Sequence, residues 1–157
     1  MTGFLIRPAR VDEASALTQL CLRSKAHWGY DTAFLKASEP SLTVTPKRIE
    51  EGRVLVAETP DGNLAGVSAA DPLKDGAFDL ALLFVEPAAI RRGVGEKLFA
   101  AIVERIAREG AKRLLIEADP NAEDFYKRLG AKRIGEAPST AIPGRMLPLL
   151  EFVVSTR

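Results

Sequence analysis

Two hydrophobic periods alternate along this chain, and the switches between them mark its elements. Phe4-Leu5-Ile6-Arg7-Pro8 is a short apolar run closed by a proline, and it predicts a first strand. Asp12 then reads as an N-cap. Ala14, Leu17, Leu20, Cys21 and Ser24 fall on one face of the helix that follows. That helix loosens at His27-Trp28-Gly29-Tyr30, and a second, short one runs from Asp31 to about Ala37. Ser38–Thr45 reads as a loop punctuated by Pro40 and Pro46, and Thr45-Pro46-Lys47-Arg48 opens one more helical turn ended by Gly52. Val54–Glu58 and Leu64–Ala70 form a hairpin, because Pro60-Asp61-Gly62-Asn63 between them is strong turn chemistry. Lys74-Asp75-Gly76 is a second turn. It leads into the apolar run Phe78–Val85, a buried strand stopped near Pro87, which has no N–H for a ladder.

Here the period changes from strand to helix. Val94, Leu98, Ile102 and Ile106 recur every four positions, and Gly110 suits the C-terminal end of that helix. Leu114–Ala118 is a further strand and Pro120–Leu129 a short helix. Ala131–Glu136 is a strand, Pro138–Pro148 a loop and Leu149–Val154 a last strand. Tight turns imply antiparallel pairing in the first half, and the long helix between strands 78–85 and 114–118 is a crossover, which implies a parallel pair. The predicted architecture is α/β: a mixed antiparallel and parallel sheet with helices on both faces. A doubly wound fold would alternate strand and helix throughout, so it is excluded. No repeat or linker divides residues 1–157, and one domain is expected.

Composition adds mainly exclusions. Apolar residues make up 46% and charged residues 27%, an ordinary globular balance. A net charge of +1 offers no general attraction to nucleic acid or to an anionic membrane. The single cysteine, Cys21, rules out an internal disulfide, and no Cys/His cluster suggests a metal. Met1–Pro8 lacks the charged start and apolar core of a signal peptide, and no apolar run approaches membrane-spanning length. A cytoplasmic location is the expectation.

The candidate chemistry sits where strand gives way to helix. The first N–H groups of a helix have no internal acceptor, and its dipole leaves positive potential there. Gly93 and Gly95 let a diphosphate approach the backbone, and Arg91 and Arg92 add forked donors. Arg91-Arg92-Gly93-Val94-Gly95-Glu96-Lys97 thus reads as a pyrophosphate cradle.

The order of elements, with FVEPAAIRRGVGEKLF in the middle and DPNAEDFYKRLGAKRIG after it, resembles the GNAT superfamily of acyl-CoA-dependent N-acetyltransferases. Gly93 and Gly95 match that family's Gln/Arg-x-x-Gly-x-Gly/Ala block. Ala122, Phe125, Tyr126 and Gly130 match its Ala-x-x-Phe-Tyr-x-x-x-Gly block. Ile90 stands where the family has Gln or Arg, so that phosphate contact is missing and Arg91 is its partial substitute. Asp119 stands where an Asn is frequent, while an Asn appears at 121.

The resemblance implies acetyl-CoA as cosubstrate, no metal, and a small-molecule or peptide amine as acceptor; a homodimer is left open. It implies that Tyr126 is the general acid toward the coenzyme sulfur, with an oxyanion donor among the backbone N–H groups near Phe84 or Val85. Asn121 and Phe125 join the coenzyme-binding residues. A core tyrosine with its hydroxyl tied to a carbonyl is the other reading of Tyr126. For the base, Glu117 is preferred over Glu86 and over His27, the only histidine, and a water chain is a further option. His27, Trp28 and Tyr30 are either a core edge or a wall of the amine pocket. Ser139–Arg145 is an ordinary connection or a loop covering the substrate.

Readings from other classes fare less well. A dinucleotide site would pair Gly93-Val94-Gly95 with Glu117, but Leu98 occupies the third glycine position. No Gly-Lys-Ser/Thr follows for a Walker loop. A non-catalytic acyl-CoA-binding module is the remaining alternative, and Tyr126 at the acid position is the feature against it.

Overall fold

The computed structural model describes residues 3–155. Its helices are α1 (Ala14–Ala26), α2 (Thr32–Leu42), α3 (Pro46–Glu50), α4 (Val94–Ala107) and α5 (Glu123–Arg128). Its strands are β1 (Leu5–Pro8), β2 (Val54–Glu58), β3 (Leu64–Pro72), β4 (Ala77–Val85), β5 (Arg113–Glu117), β6 (Lys132–Pro138) and β7 (Met146–Val153). Among the described residues the strands form one sheet in the order β1-β2-β3-β4-β5-β7-β6. Every pairing is antiparallel except β4 with β5, which run parallel across the α4 crossover as the pattern predicts.

Both faces are covered because successive strand residues point opposite ways. Val54 and Val56 of β2 pack with Leu17, Leu20, Leu42 and Ile49 from α1, α2 and α3. Leu55 between them turns to the other face, where Phe99, Ile102 and Ile106 of α4 and Tyr126 of α5 lie. Five buried side chains along α4 (Val94, Leu98, Phe99, Ile102, Ile106) anchor it, each worth roughly 1.5–3 kcal/mol when removed from water. The approach of α4 to the sheet depends on Gly66 of β3. A Cβ there would meet Leu98 Cδ1 at 2.7 Å and Phe84 O at 3.0 Å. Cys21 is fully buried in the α1 core, and burial pushes its thiol up to about 12, so it is packing and not a nucleophile.

Three expectations need correction. Asp12 does not cap α1; Glu13 does that work for the turn before it, accepting the Arg10 N–H at 2.8 Å while Arg7 holds its carboxylate. Second, α2 does not stop near Ala37 but runs through Pro40 to Leu42. Asp31 caps its start at the Phe34 N–H (2.8 Å), and burial of Ser38 and Leu42 holds its last turns. The proline forfeits only one bond of the ladder. Third, the loop before the last strand is shorter than predicted. β6 continues to Pro138, which a sheet-edge strand tolerates, and β7 begins at Met146.

Candidate active site

β4 and β5 pair only at their beginnings: Ala77 with Arg113, Phe78 with Leu114, Asp79 with Leu115. Beyond that point β4 pairs with β3 alone and β5 with β7 alone. The pairing of β4 with β3 jumps from Leu82–Ala69 to Leu80–Ala70, so Ala81 is an extra residue and β4 bulges. Bulges bend and twist a strand, and this one turns β4 away from its parallel neighbour. The resulting fork opens into a cleft of about 940 Å³, lined along β4, the end of β5, α5 and the start of α4.

At one end of the cleft lies the predicted cradle. Gly93 is the N-cap of α4 in a left-handed conformation (φ 80°), and a Cβ there would meet nothing within 4 Å. The first α4 N–H bonded within the helix is that of Lys97, donating to Gly93 O, so the amides of Val94, Gly95 and Glu96 stand without a helical acceptor. Arg91 is also left-handed (φ 69°) and lines the same end. This geometry fits a diphosphate. Gly95 has a different reason: a Cβ there would meet Phe125 Cζ at 3.2 Å, so it lets α4 and α5 pack closely. Arg92 points elsewhere, its guanidinium 5.4 Å from the Phe4 ring, and neither it nor Lys97 lines the cleft.

Along the fork, Glu86 N–H donates to Ala65 O of β3 at 2.8 Å, outside the facing pair Val85–Gly66. The two-residue alternation of a strand therefore aims the N–H groups of Val85 and Leu83 into the cleft, while that of Phe84 faces β3. Of the two residues proposed for an oxyanion donor, Val85 has the right orientation and Phe84 does not.

Tyr126 comes in from α5 with its ring against Phe99 and Phe125. The residue is buried and lines the cleft. Among the described residues no hydrogen bond reaches its hydroxyl, and no buried side-chain oxygen is left unpaired, so the hydroxyl opens to the cleft and is not tied to a carbonyl. Burial, and next the charge of Asp119, push its pKa well above the usual tyrosine value, so it holds its proton.

Glu117 lies in the cleft at the end of β5. Beside it is a residue the sequence reading missed. Asp79 sits on β4 at the fork, and burial, helped by the charges of Glu117 and Asp71, raises its pKa to about 6. The signal was present: a lone carboxylate inside the apolar run Phe78–Val85, an expensive placement without a purpose.

His27 and Trp28 line the cleft, Trp28 half exposed. Tyr30 is placed differently: its ring stacks on Phe34 at 4.0 Å and its hydroxyl donates to Asp119 at 2.8 Å. Asn121 lines the cleft, but its side-chain amide is engaged by Asp119 (2.9 Å) and Tyr30 (3.3 Å). Burial works to neutralise Asp119, but bonds from Lys25, Asn121 and Tyr30 outweigh it and hold the carboxylate below its usual range. Among the described residues no group of His, Cys, Asp and Glu is arranged to hold a metal ion, and no helix is long and apolar enough to cross a membrane.

A family model for the acetyltransferase (GNAT) domain matches residues 16–140, a span that contains the cleft lining except Ala141, Ile142, Arg145 and Leu147. The chain belongs to the GNAT acetyltransferase family. It is an acetyl-CoA-dependent acyltransferase. No curated protein matches this GNAT domain significantly in sequence. Solved structures match its fold over nearly the whole chain. A GCN5-related N-acetyltransferase from Rhodopseudomonas palustris superposes with a TM-score of 0.76 at 21% identity, over 98% of this chain and 97% of its own. The putative acetyltransferase yncA from Salmonella typhimurium, solved with acetyl-CoA, gives 0.70 at 19% identity, over 98% and 95%. The PaiA N-acetyltransferase from Thermoplasma acidophilum, solved with coenzyme A, gives 0.76 at 15% identity, over 96% and 98%. At these identities the likeness establishes the GNAT fold alone.

Proposed function

We propose that this protein transfers the acetyl group of acetyl-CoA to a primary amine, with Tyr126 as general acid and Asp79, together with Glu117 beside it, as the base. The observation that carries the proposal is one cleft lined by a diphosphate-shaped helix terminus, a protonated tyrosine whose hydroxyl has no hydrogen-bond partner among the described residues, and a carboxyl group with its pKa raised to about 6. Bound acetyl-CoA would supply the acyl thioester. The amides at Val94–Glu96 and the Arg91 guanidinium would hold its phosphates, and Val85 N–H would face a developing oxyanion. An amine arrives as an ammonium ion and must shed a proton before it attacks; Asp79 takes that proton, directly or through water. Tyr126 Oη holds the proton needed by a departing sulfur. His27 and Trp28, which line the same cleft, would contact the acceptor.

The decisive experiment is a free-thiol assay with acetyl-CoA and a panel of amines: glutamate, nourseothricin, spermidine and short peptides. The first two are suggested by an N-acetylglutamate synthase from Neisseria gonorrhoeae and a nourseothricin acetyltransferase, both fold relatives. Thiol release with none of them, from a protein that binds CoA, would favour a non-catalytic binding module. Ligand choice has its own check. CoA at about a hundred times its Kd should stabilise the fold by about 2.7 kcal/mol, a rise in Tm on the order of 5–10 °C, whereas NAD and ATP should not. A shift with NAD and none with CoA would revive the dinucleotide reading.

Asp79 makes a prediction with two opposite signs. As a base it must be ionised, so turnover should fall as pH drops below about 6, and Asp79→Asn should remove that limb together with most of the rate. Stability runs the other way. A carboxyl whose pKa is raised by folding stabilises fully below its unfolded value and loses that contribution as pH climbs through about 6. Asp79→Asn should therefore raise Tm at pH 7.5 more than at pH 4. A variant that is slower but no more stable at neutral pH would leave the base elsewhere.

A further inference from the structure

Asp119 stands outside the proton transfers proposed above, yet three parts of the chain converge on it. Its Oδ1 accepts the backbone N–H of Asn121 at 2.8 Å and the Asn121 side-chain amide at 2.9 Å, and so caps the 3-10 turn Pro120–Ala122 that opens into α5. Its Oδ2 accepts Lys25 Nζ at 2.6 Å, from the last turn of α1, and the Tyr30 hydroxyl at 2.8 Å. The same hydroxyl accepts from Arg145 Nη2 at 2.9 Å, and the Arg145 guanidinium lies over the Tyr30 and Phe34 rings. Arg145 closes the loop 139–145 between β6 and β7. The side chains of Lys25 and Asp119 are only 14% and 12% exposed, so their attraction escapes most of the screening that weakens a surface pair.

The segment that carries Tyr126 is short. A three-residue turn and the six residues of α5 have too few backbone bonds of their own to fix a side chain against the sheet. Two acceptor oxygens are also required at position 119. An asparagine there would keep one oxygen for the Asn121 N–H and set an NH2 group against Lys25 or Tyr30.

We propose that Asp119 is a positioning residue, joining the turn that carries Tyr126 to Lys25 and Tyr30 on the acceptor side, so that acid and acceptor are held at a fixed separation. This rests on the acyl-transfer reading above. It gives Tyr30 a part in the site that is indirect, through Asp119, and it makes the loop 139–145 a strap tied to Tyr30 by Arg145.

The test uses Asp119→Asn, Lys25→Met and the double variant, with the fastest amine of the panel. Each single substitution should lower kcat by about tenfold to a hundredfold, the cost of slight misplacement of a reacting group, while the titrated affinity for CoA stays unchanged. The double variant should be no slower than the slower single one, because both remove one interaction. Amide hydrogen exchange supplies a readout that needs no acceptor. Lys25→Met touches neither Asn121–Tyr126 nor the loop 139–145, yet exchange should speed up in both. Losses that multiply in the double variant, full turnover in either single variant, or unchanged exchange at 121–126 would overturn the proposal. Should the wild-type protein acetylate none of the panel, the acyl-transfer reading falls on its own, and the exchange comparison still decides whether Asp119 joins the two walls.

Discussion

Tyr126→Phe should abolish most turnover while leaving the fold and CoA binding nearly intact. The ring fills a core site against Phe99 and Phe125, and phenylalanine keeps that packing. Among the described residues the hydroxyl has no partner to lose, so stability should change by less than the 1 kcal/mol or so that one hydrogen bond is worth. Loss of a general acid costs on the order of a hundredfold or more in rate. Chemical denaturation, CoA titration and steady-state kinetics on one preparation separate the three quantities. If the variant retains full turnover across the pH range, Tyr126 is a core residue that happens to border the cleft, and the sulfur takes its proton from another source.

The parts of this site that were legible in the sequence are those written in local chemistry. A glycine pair between an apolar strand and a four-residue apolar repeat announces a helix terminus, and the terminus is where the pattern places it. The parts that were not legible depend on distance or on meaning that one residue carries in two ways. Lys25 and Asp119 are 94 positions apart, and no periodicity links them. Asp79 was hidden inside a run read as uniformly apolar. Gly93 and Gly95 look alike in sequence, but one leaves open space before a left-handed cap and the other makes room for Phe125. Arg92 shows the converse, since two adjacent arginines beside a phosphate cradle point to opposite sides. Prolines misled at Pro40 and Pro138, where burial and an edge position outweighed the lost donor.

The cradle itself is tested by Gly93→Asp, set against Gly93→Asn. Both substitutions place a side chain of the same shape at φ 80°, a conformation that Asp and Asn tolerate better than most residues, at a cost of roughly 1–2 kcal/mol. Neither Cβ meets a neighbouring atom within 4 Å, so both variants should fold. They differ in one charge. A carboxylate about 4 Å from a phosphate, at the effective dielectric of a protein surface, costs roughly 4 kcal/mol, which is about a thousandfold in affinity. Calorimetric titration with CoA should therefore show binding collapse in Gly93→Asp and a much smaller loss in Gly93→Asn, where only crowding acts. The difference should shrink as salt is raised, because the repulsion is electrostatic and reached by solvent. Equal affinity in the two variants would mean that the diphosphate does not lie at the α4 terminus, and the coenzyme would have to enter the fork another way.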